Sequence, residues 1–147
     1  ETRAIAGWFE SDRDTDTRLN KWGREIYPKC AYNTLMLRKE RYGNIPIYVT
    51  ENGHGCYDVP DENGYVEDDD RIAFLNDYIG WILKAKEDGV NVKGYYCWST
   101  MDLYSWINGY KKRYGLVRVD YEDGLLRRIP KKSYYWYRDF IAEHKDV

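Results

Sequence analysis

The chain has 147 residues, a formal net charge of −2 and a pI near 5.8, and this length is sufficient for one domain with its own apolar core. The balanced charge excludes a strongly basic surface of the kind that binds nucleic acids or membranes. No run of 18 apolar residues is present and no apolar stretch follows the first residues, so we expect neither a transmembrane helix nor a signal peptide.

The first half of the chain is predicted to contain one helix and one strand. Residues 1–27 lack a periodic pattern and predict a long loop. A one-sided apolar stripe predicts a helix over 31–42, which Gly43 ends. The β-branched and aromatic run that follows predicts a buried strand over 46–50.

The second half repeats this order with longer connections. Its predicted elements are a polar loop over 54–68, a helix over 70–88, a strand over 92–98, a Trp-rich loop over 99–114, a hairpin with strands at 116–119 and 125–128, and a helix over 133–144 with Ser133 as N-cap. The alternation of helix and strand predicts an α/β fold with parallel strands in one unit over 1–147. Two parallel strands cannot close a barrel, so we expect this fold to be incomplete.

A single carboxylate ends the first predicted strand. Glu51 follows the apolar run and precedes Asn52-Gly53, a pair that is typical of sharp turns. Because α/β barrels hold their catalytic groups at the carboxyl ends of their strands, this position is compatible with a chemical role for Glu51. A solvated glutamate at the start of a loop is the alternative that this short pattern leaves open.

Aromatic, hydroxyl and cationic side chains follow the second predicted strand. Two indoles, Trp98 and Trp106, share this segment with three consecutive cations at 111–113. Flat aromatic faces with polar groups suit a sugar ring, and the whole chain has 16 Tyr and 6 Trp against 3 Phe. Cations beside hydroxyls can hold a phosphate, although a solvated face is the alternative for such a run.

Four motifs, in order along the chain, carry a resemblance to a known family. Thr50-Glu51-Asn52-Gly53, the block 98–115, Val119-Asp120-Tyr121 and the run 130–137 resemble the C-terminal part of glycoside hydrolase family 1. That family folds as a (β/α)8 TIM barrel. The resemblance implies that the two predicted strands are the seventh and eighth of such a barrel, with flanking helices and a β-hairpin.

The resemblance also implies catalytic and sugar-binding roles. Glu51 matches the nucleophile of a retaining glycosidase, in which a second carboxyl ~5 Å away protonates the leaving oxygen. Trp98 is similar to the tryptophan beneath the bound sugar, and Trp106 to one that contacts sugar hydroxyls. The family's Asn-Glu-Pro motif, which carries the proton donor, does not occur in these 147 residues. We therefore expect the chain to be inactive alone.

One departure from the β-glucosidases of this family narrows the expected substrate. They carry a glutamate just before the second tryptophan, where this chain has Ser105. A serine hydroxyl can donate to a 6-phosphate that a carboxylate would repel. Ser105, Lys112 and Tyr114 resemble the phosphate-binding residues of the 6-phospho-β-glycosidases, and Trp106 resembles the 6-phospho-β-galactosidases more than the 6-phospho-β-glucosidases.

The resemblance therefore implies retaining hydrolysis of 6-phospho-β-glycosides such as lactose 6-phosphate, with no metal or organic cofactor. Expected partners are the missing N-terminal portion of the barrel or other copies of the chain, which would cover the exposed sheet. The three widely spaced cysteines fit neither a disulfide framework nor a zinc pattern, which favours a cytoplasmic protein. The alternatives are a non-catalytic remnant that binds sugar phosphates or assembles with other copies of itself, and a plain β-glucosidase fragment.

Overall fold

Three helices and four short strands make up the computed structural model, which describes residues 18–122 and 124–144. The elements are α1 (Lys29–Tyr42), β1 (Ile47–Asn52), α2 (Asp69–Glu87), β2 (Val92–Cys97), β3 (Val117–Val119), β4 (Arg128–Pro130) and α3 (Lys132–Glu143). The three predicted helices and the first two predicted strands are confirmed. Residues 1–17 of the predicted N-terminal loop lie outside the described residues. Within the described ranges, no helix is long and apolar enough to cross a membrane.

β1 and β2 pair in parallel, as the alternation of elements predicts. Tyr48 lies opposite Gly94 and Asn52 lies opposite Cys97, which brings the carboxyl ends of the two strands together. The prediction that the first strand is buried is wrong for Tyr48, whose side chain is 55% exposed. Successive side chains of a strand point to opposite faces, and Ile47 and Val49 pack on the core while Tyr48 points away from it.

α2 joins the two apolar clusters of the described chain. Leu75 and Ile79 belong to a cluster that the partly buried side of α3 covers. Ile82 and Ala85 belong to a second cluster, in which Leu35 of α1 and the first residue of β2 also take part. The apolar stripe predicted for α2 therefore packs against the sheet on one side and against α3 on the other.

The second hairpin strand begins later than the sequence predicts. β3 and β4 are antiparallel, which confirms the hairpin, but Val119 pairs with Arg128, and Leu125 is 76% exposed. Leu126 has a positive φ of 54°, a conformation that is incompatible with extended strand backbone. β4 can therefore start only after this residue.

Ser133 is not the N-cap of the last helix. It lies inside the first turn of α3, and its backbone N–H and hydroxyl donate to the Asp68 carboxylate at 2.8 and 2.6 Å. The prediction was wrong because the acceptor stands just before α2, far away in sequence. Ser133 thereby links the start of α3 to the start of α2.

A chain of buried ion pairs connects the loops with the starts of two helices. The ammonium of Lys131 pairs with Asp58 and, at 2.9 Å, with Asp102. Arg71 of α2 pairs with Asp58 at 3.1 Å and with Asp68 at 2.7 Å. Burial raises the pKa of the Asp58 carboxyl, and the charges of Lys131 and Arg71 oppose that shift. The alternating charges offset one another inside the protein, where an unpaired charge would be strongly destabilising.

Replacing Lys131 with methionine is expected to lower the free energy of unfolding by about 3–5 kcal/mol, because two buried carboxylates each lose one of their two cationic partners. Lys132→Met is the matched control, since the ion pair of Lys132 with Asp69 is exposed and its loss should change that free energy far less. Urea denaturation followed by circular dichroism measures both variants. Equal losses in the two variants would show that the buried pairs do not stabilise the fold.

Candidate active site

The carboxyl ends of β1 and β2 hold Glu51 and Trp98 beside each other. The backbone N–H of Trp98 donates to the carbonyl of Asn52 at 2.8 Å, and the Tyr95 hydroxyl donates to the side-chain oxygen of Asn52 at 2.8 Å. Gly53 lies against the Trp98 carbonyl, where any added Cβ would overlap it. Glu51 is the last residue but one of β1 and is exposed to solvent, so the alternative of a solvated glutamate is correct in its exposure and wrong in placing it in a loop.

Backbone hydrogen bonds tie the segment after β2 to the segment after β1. Cys56 and Arg113 exchange backbone N–H···O bonds of 2.8 and 3.0 Å. The N–H of Ser99 donates to the carbonyl of Tyr114 at 3.2 Å. The predicted Trp-rich loop therefore folds back on its own start and lies against the loop that follows Glu51.

A tight turn separates the environments of Ser105 and Trp106. Ser105 and Gly109 exchange backbone hydrogen bonds of 2.9 and 2.7 Å, and the N–H of Asn108 donates to the Ser105 hydroxyl oxygen at 3.3 Å. Ser105 is 9% exposed, whereas Trp106 at the tip of the turn is 96% exposed. The two neighbours therefore present a buried hydroxyl and an open indole face.

The three consecutive cations occupy three different environments. Lys111 is exposed to solvent. Lys112 is 4% exposed, and its ammonium nitrogen lies 4.9 Å from the centre of the Trp22 ring. The guanidinium of Arg113 lies 3.5 Å from the carboxylate of Asp102. The solvated-face interpretation of this run therefore applies to Lys111 and is wrong for the other two.

Two cavities at this end of the sheet bring the predicted residues together. They have volumes of about 370 and 570 Å³, and Glu51, Trp98 and Tyr114 line both of them. Lys112 lines the smaller cavity, whereas Ser105 and Trp106 line the larger one. All six residues selected from the sequence line these cavities: Glu51, Trp98, Ser105, Trp106, Lys112 and Tyr114.

Tyr114 connects the hydroxyl and cationic groups of the site. Burial raises the pKa of its hydroxyl, the charge of Arg24 and a hydrogen bond with the Ser105 side chain lower it, and the negative charge of Glu51 raises it. The hydroxyl therefore remains protonated at neutral pH and can donate a hydrogen bond. The Lys112 ammonium lies 5.5 Å from the centre of the Tyr114 ring, so this cation is close to the side chain that carries the hydroxyl donor.

Trp22 contacts the site through Lys112, and the sequence does not single it out. Its ring stacks on Tyr57 at 4.3 Å between centroids and faces the ammonium of Lys112. It stands in the unpatterned stretch predicted as a loop, and its contacts are with residues far along the chain. No local pattern could have identified it.

His54 lies in the wall of the smaller cavity as a packing residue. Burial lowers the pKa of its imidazole to about 4, and the charge of Arg71 adds to this effect, so the ring is neutral at neutral pH. The ring stacks on Phe74 with 4.8 Å between centroids. No group of three or more His, Cys, Asp or Glu side chains is placed to hold a metal ion within residues 18–122 and 124–144.

Comparison with known sequences places the chain in one family. The sequence profile of glycosyl hydrolase family 1 matches residues 3–146. The 6-phospho-beta-galactosidases of Staphylococcus epidermidis and Staphylococcus haemolyticus are each 44% identical to this chain over 145 residues. Each match covers 97% of this chain and 30% of the relative, so the chain spans about 30% of the length of these curated relatives.

Solved structures show the same partial correspondence. The family 1 β-glucosidase from Thermotoga maritima matches with a TM-score of 0.83 and 41% identity, covering 90% of this chain and 29% of that one. The complex of that enzyme with isofagomine lactam matches with a TM-score of 0.84 and 39% identity, and the match covers 93% of this chain and 30% of the β-glucosidase chain. The described fold therefore corresponds to part of the TIM barrel of these enzymes.

Gly55 is expected to be essential for the packing of Lys112. A Cβ at Gly55 would lie 2.7 Å from Cγ and 2.5 Å from Cε of Lys112, so Gly55→Ala should lower the free energy of unfolding by about 1–3 kcal/mol. Gly80→Ala in α2 is the control, because no atom lies within 4 Å of the added Cβ. It should raise that free energy by about 0.5–1 kcal/mol. Stabilisation of both variants in urea denaturation would contradict the expected clash.

Proposed function

This chain belongs to glycosyl hydrolase family 1, and we propose that it is the C-terminal part of a retaining 6-phospho-β-glycosidase. In this proposal β1 and β2 are the seventh and eighth strands of a (β/α)8 barrel, and residues 1–147 form one segment of that domain. The parallel pairing of β1 with β2 and the partial match to β-glucosidase structures support this placement.

The single observation that carries the proposal is that Glu51 shares its cavities with both an indole and a hydroxyl–cation cluster. The Glu51 carboxylate attacks the anomeric carbon above the Trp98 ring, the bond to the leaving oxygen breaks, and a glycosyl–enzyme ester forms. Water then hydrolyses the ester. Two carboxyl groups are sufficient for this chemistry, so it requires no metal or organic cofactor.

The second carboxyl comes from outside this chain. It must protonate the leaving oxygen, and no Asn-Glu-Pro motif to carry it occurs in the 147 residues. The partner is therefore the N-terminal barrel portion, which supplies the acid and pairs with the open edges of the sheet. Exposed Tyr48 and Tyr96 on β1 and β2 support this partner. They would equally support self-association of a non-catalytic, sugar-phosphate-binding remnant.

Ser105, Lys112 and Tyr114 bind the 6-phosphate of the substrate. Ser105 and Tyr114 line the same cavity, and the Lys112 ammonium lies 5.5 Å from the centre of the Tyr114 ring. Two hydroxyl donors and an ammonium suit a phosphate dianion through charge-assisted hydrogen bonds. This cluster distinguishes the chain from a plain β-glucosidase, in which a carboxylate at the position of Ser105 would repel the phosphate.

The preferred substrate is a 6-phospho-β-galactoside such as lactose 6-phosphate. Trp106 beside the phosphate cluster and the 44% identity to 6-phospho-beta-galactosidases favour the galacto over the gluco sugar. Such substrates occur inside cells, and the three cysteines are free thiols, which suits a reducing compartment. We therefore place the activity in the cytoplasm.

Glu51→Gln tests the nucleophile in a chimeric enzyme, in which this chain replaces the matching segment of the Staphylococcus epidermidis 6-phospho-β-galactosidase. The substitution should lower kcat for p-nitrophenyl β-galactoside 6-phosphate by several orders of magnitude, because an amide cannot form the ester. Glu62→Gln, at an exposed residue of the loop after β1, is the control and should retain activity. Surviving turnover in Glu51→Gln would refute the nucleophile assignment, and an inactive parent chimera would refute the proposed partner.

Lys112→Met tests phosphate binding in the same chimeric enzyme. The ratio of kcat/KM for the phosphorylated over the unphosphorylated p-nitrophenyl β-galactoside should fall by roughly 10- to 100-fold, the usual value of a hydrogen bond to a charged group. Lys111→Met removes the neighbouring exposed cation and should leave the ratio unchanged. If the parent chimera shows no preference for the phosphorylated substrate, the phosphate proposal fails.

A further inference from the structure

We propose that Trp22 is a positioning residue, whose indole holds the ammonium of Lys112 in place for the substrate phosphate. This inference rests on the proposed function, because it assigns Trp22 a role only through Lys112. It concerns the segment before α1, which the motifs of the sequence do not include.

The Lys112 ammonium lies close to two aromatic rings. Its ammonium nitrogen is 4.9 Å from the centre of the Trp22 ring and 5.5 Å from the centre of the Tyr114 ring. Both distances lie within the range of cation–π attraction. Gly55 packs against the aliphatic stem of the same lysine, where a larger side chain would clash. These contacts with Trp22, Tyr114 and Gly55 therefore restrict the conformation of the Lys112 side chain.

Trp22 is itself fixed by a short hairpin turn. The Asn20 side-chain oxygen accepts the N–H groups of Trp22 and Arg24, each at 2.9 Å, and the N–H of Asn20 donates to the Arg24 carbonyl at 2.8 Å. Gly23 supplies the positive φ of 70° that the turn requires. The indole then stacks on Tyr57 at an interplanar angle of 14°. The ring is therefore a rigid support for the lysine.

An aromatic support preserves the charge that a phosphate needs. The face of an indole attracts a cation and leaves it positively charged. A lysine also loses considerable rotamer freedom when it is held in one direction. If the aromatic rings impose this restriction before the substrate arrives, phosphate binding loses less conformational entropy.

The test compares kcat and KM in the chimeric enzyme for the phosphorylated and unphosphorylated substrates. Trp22→Leu should lower the phosphorylated-to-unphosphorylated ratio of kcat/KM by about 2- to 30-fold, mainly through KM for the phosphorylated substrate. Trp22→Phe keeps an aromatic face and should retain most of the ratio. Trp81→Leu is the matched control, because it removes an indole that contacts Lys29 at 5.6 Å, and it should leave the ratio unchanged.

A double-mutant cycle separates this inference from the proposed function. In a Lys112→Met background, Trp22→Leu should produce no further loss of the ratio, because Trp22 acts through Lys112. If Lys112→Met alone leaves the ratio unchanged, the proposed function fails. If Lys112→Met lowers the ratio but Trp22→Leu does not, or lowers it equally in both backgrounds, the positioning role is refuted.

An NMR measurement keeps the inference testable if Trp22→Leu impairs folding of the chimera. In the parent protein the ε-CH₂ protons of Lys112 should be shifted upfield by the nearby rings of Trp22 and Tyr114. Trp22→Phe should reduce that shift without removing it. An ordinary, unshifted resonance in the parent would show that the indole does not hold the lysine.

Discussion

The buried ammonium of Lys131, between the carboxylates of Asp58 and Asp102, is the interaction on which the active-site end of this chain depends. Asp58 belongs to the segment after β1, Asp102 to the segment after β2, and Lys131 to the turn that leads into α3. The Asp102 carboxylate also accepts the backbone N–H of Gly115 at 2.9 Å. Because none of these charges can lose its partner without a large loss of stability, the three segments must form together.

The same network determines where the Lys112 ammonium lies. Arg113 pairs with Asp102 and exchanges backbone hydrogen bonds with Cys56, which fixes the backbone next to Lys112. Arg113 joins the buried network, while Lys112 lines the cavity that Glu51 also lines. In the proposed function, stability and phosphate binding are therefore coupled at this point, because the interactions that hold the loop also position Lys112.

Local patterns were sufficient for elements whose determinants are neighbours in sequence. The apolar stripe of α2 and the short β1 and β2 runs predicted these elements to within two residues at each end. The interpretation of Ser133 was wrong because its acceptor, Asp68, belongs to another element. The hairpin was misplaced because the positive φ of Leu126 delays β4, and nothing in the alternation of residues around it indicates that conformation.

The sequence by itself determined the family and the types of chemical group in the site, because its motifs keep their residues in a set order and spacing. The resemblance based on those motifs is confirmed by the family match over residues 3–146. Only the tertiary structure decided that Lys112 and not Lys111 lines the cavity, that Ser105 is buried while Trp106 is exposed, and that the Trp22 ring lies against the Lys112 ammonium. The periodicity of apolar residues indicates only how residues a few positions apart are arranged. These contacts join distant parts of the chain, and they exist only once the buried charges and the apolar faces of α2 have brought those parts together.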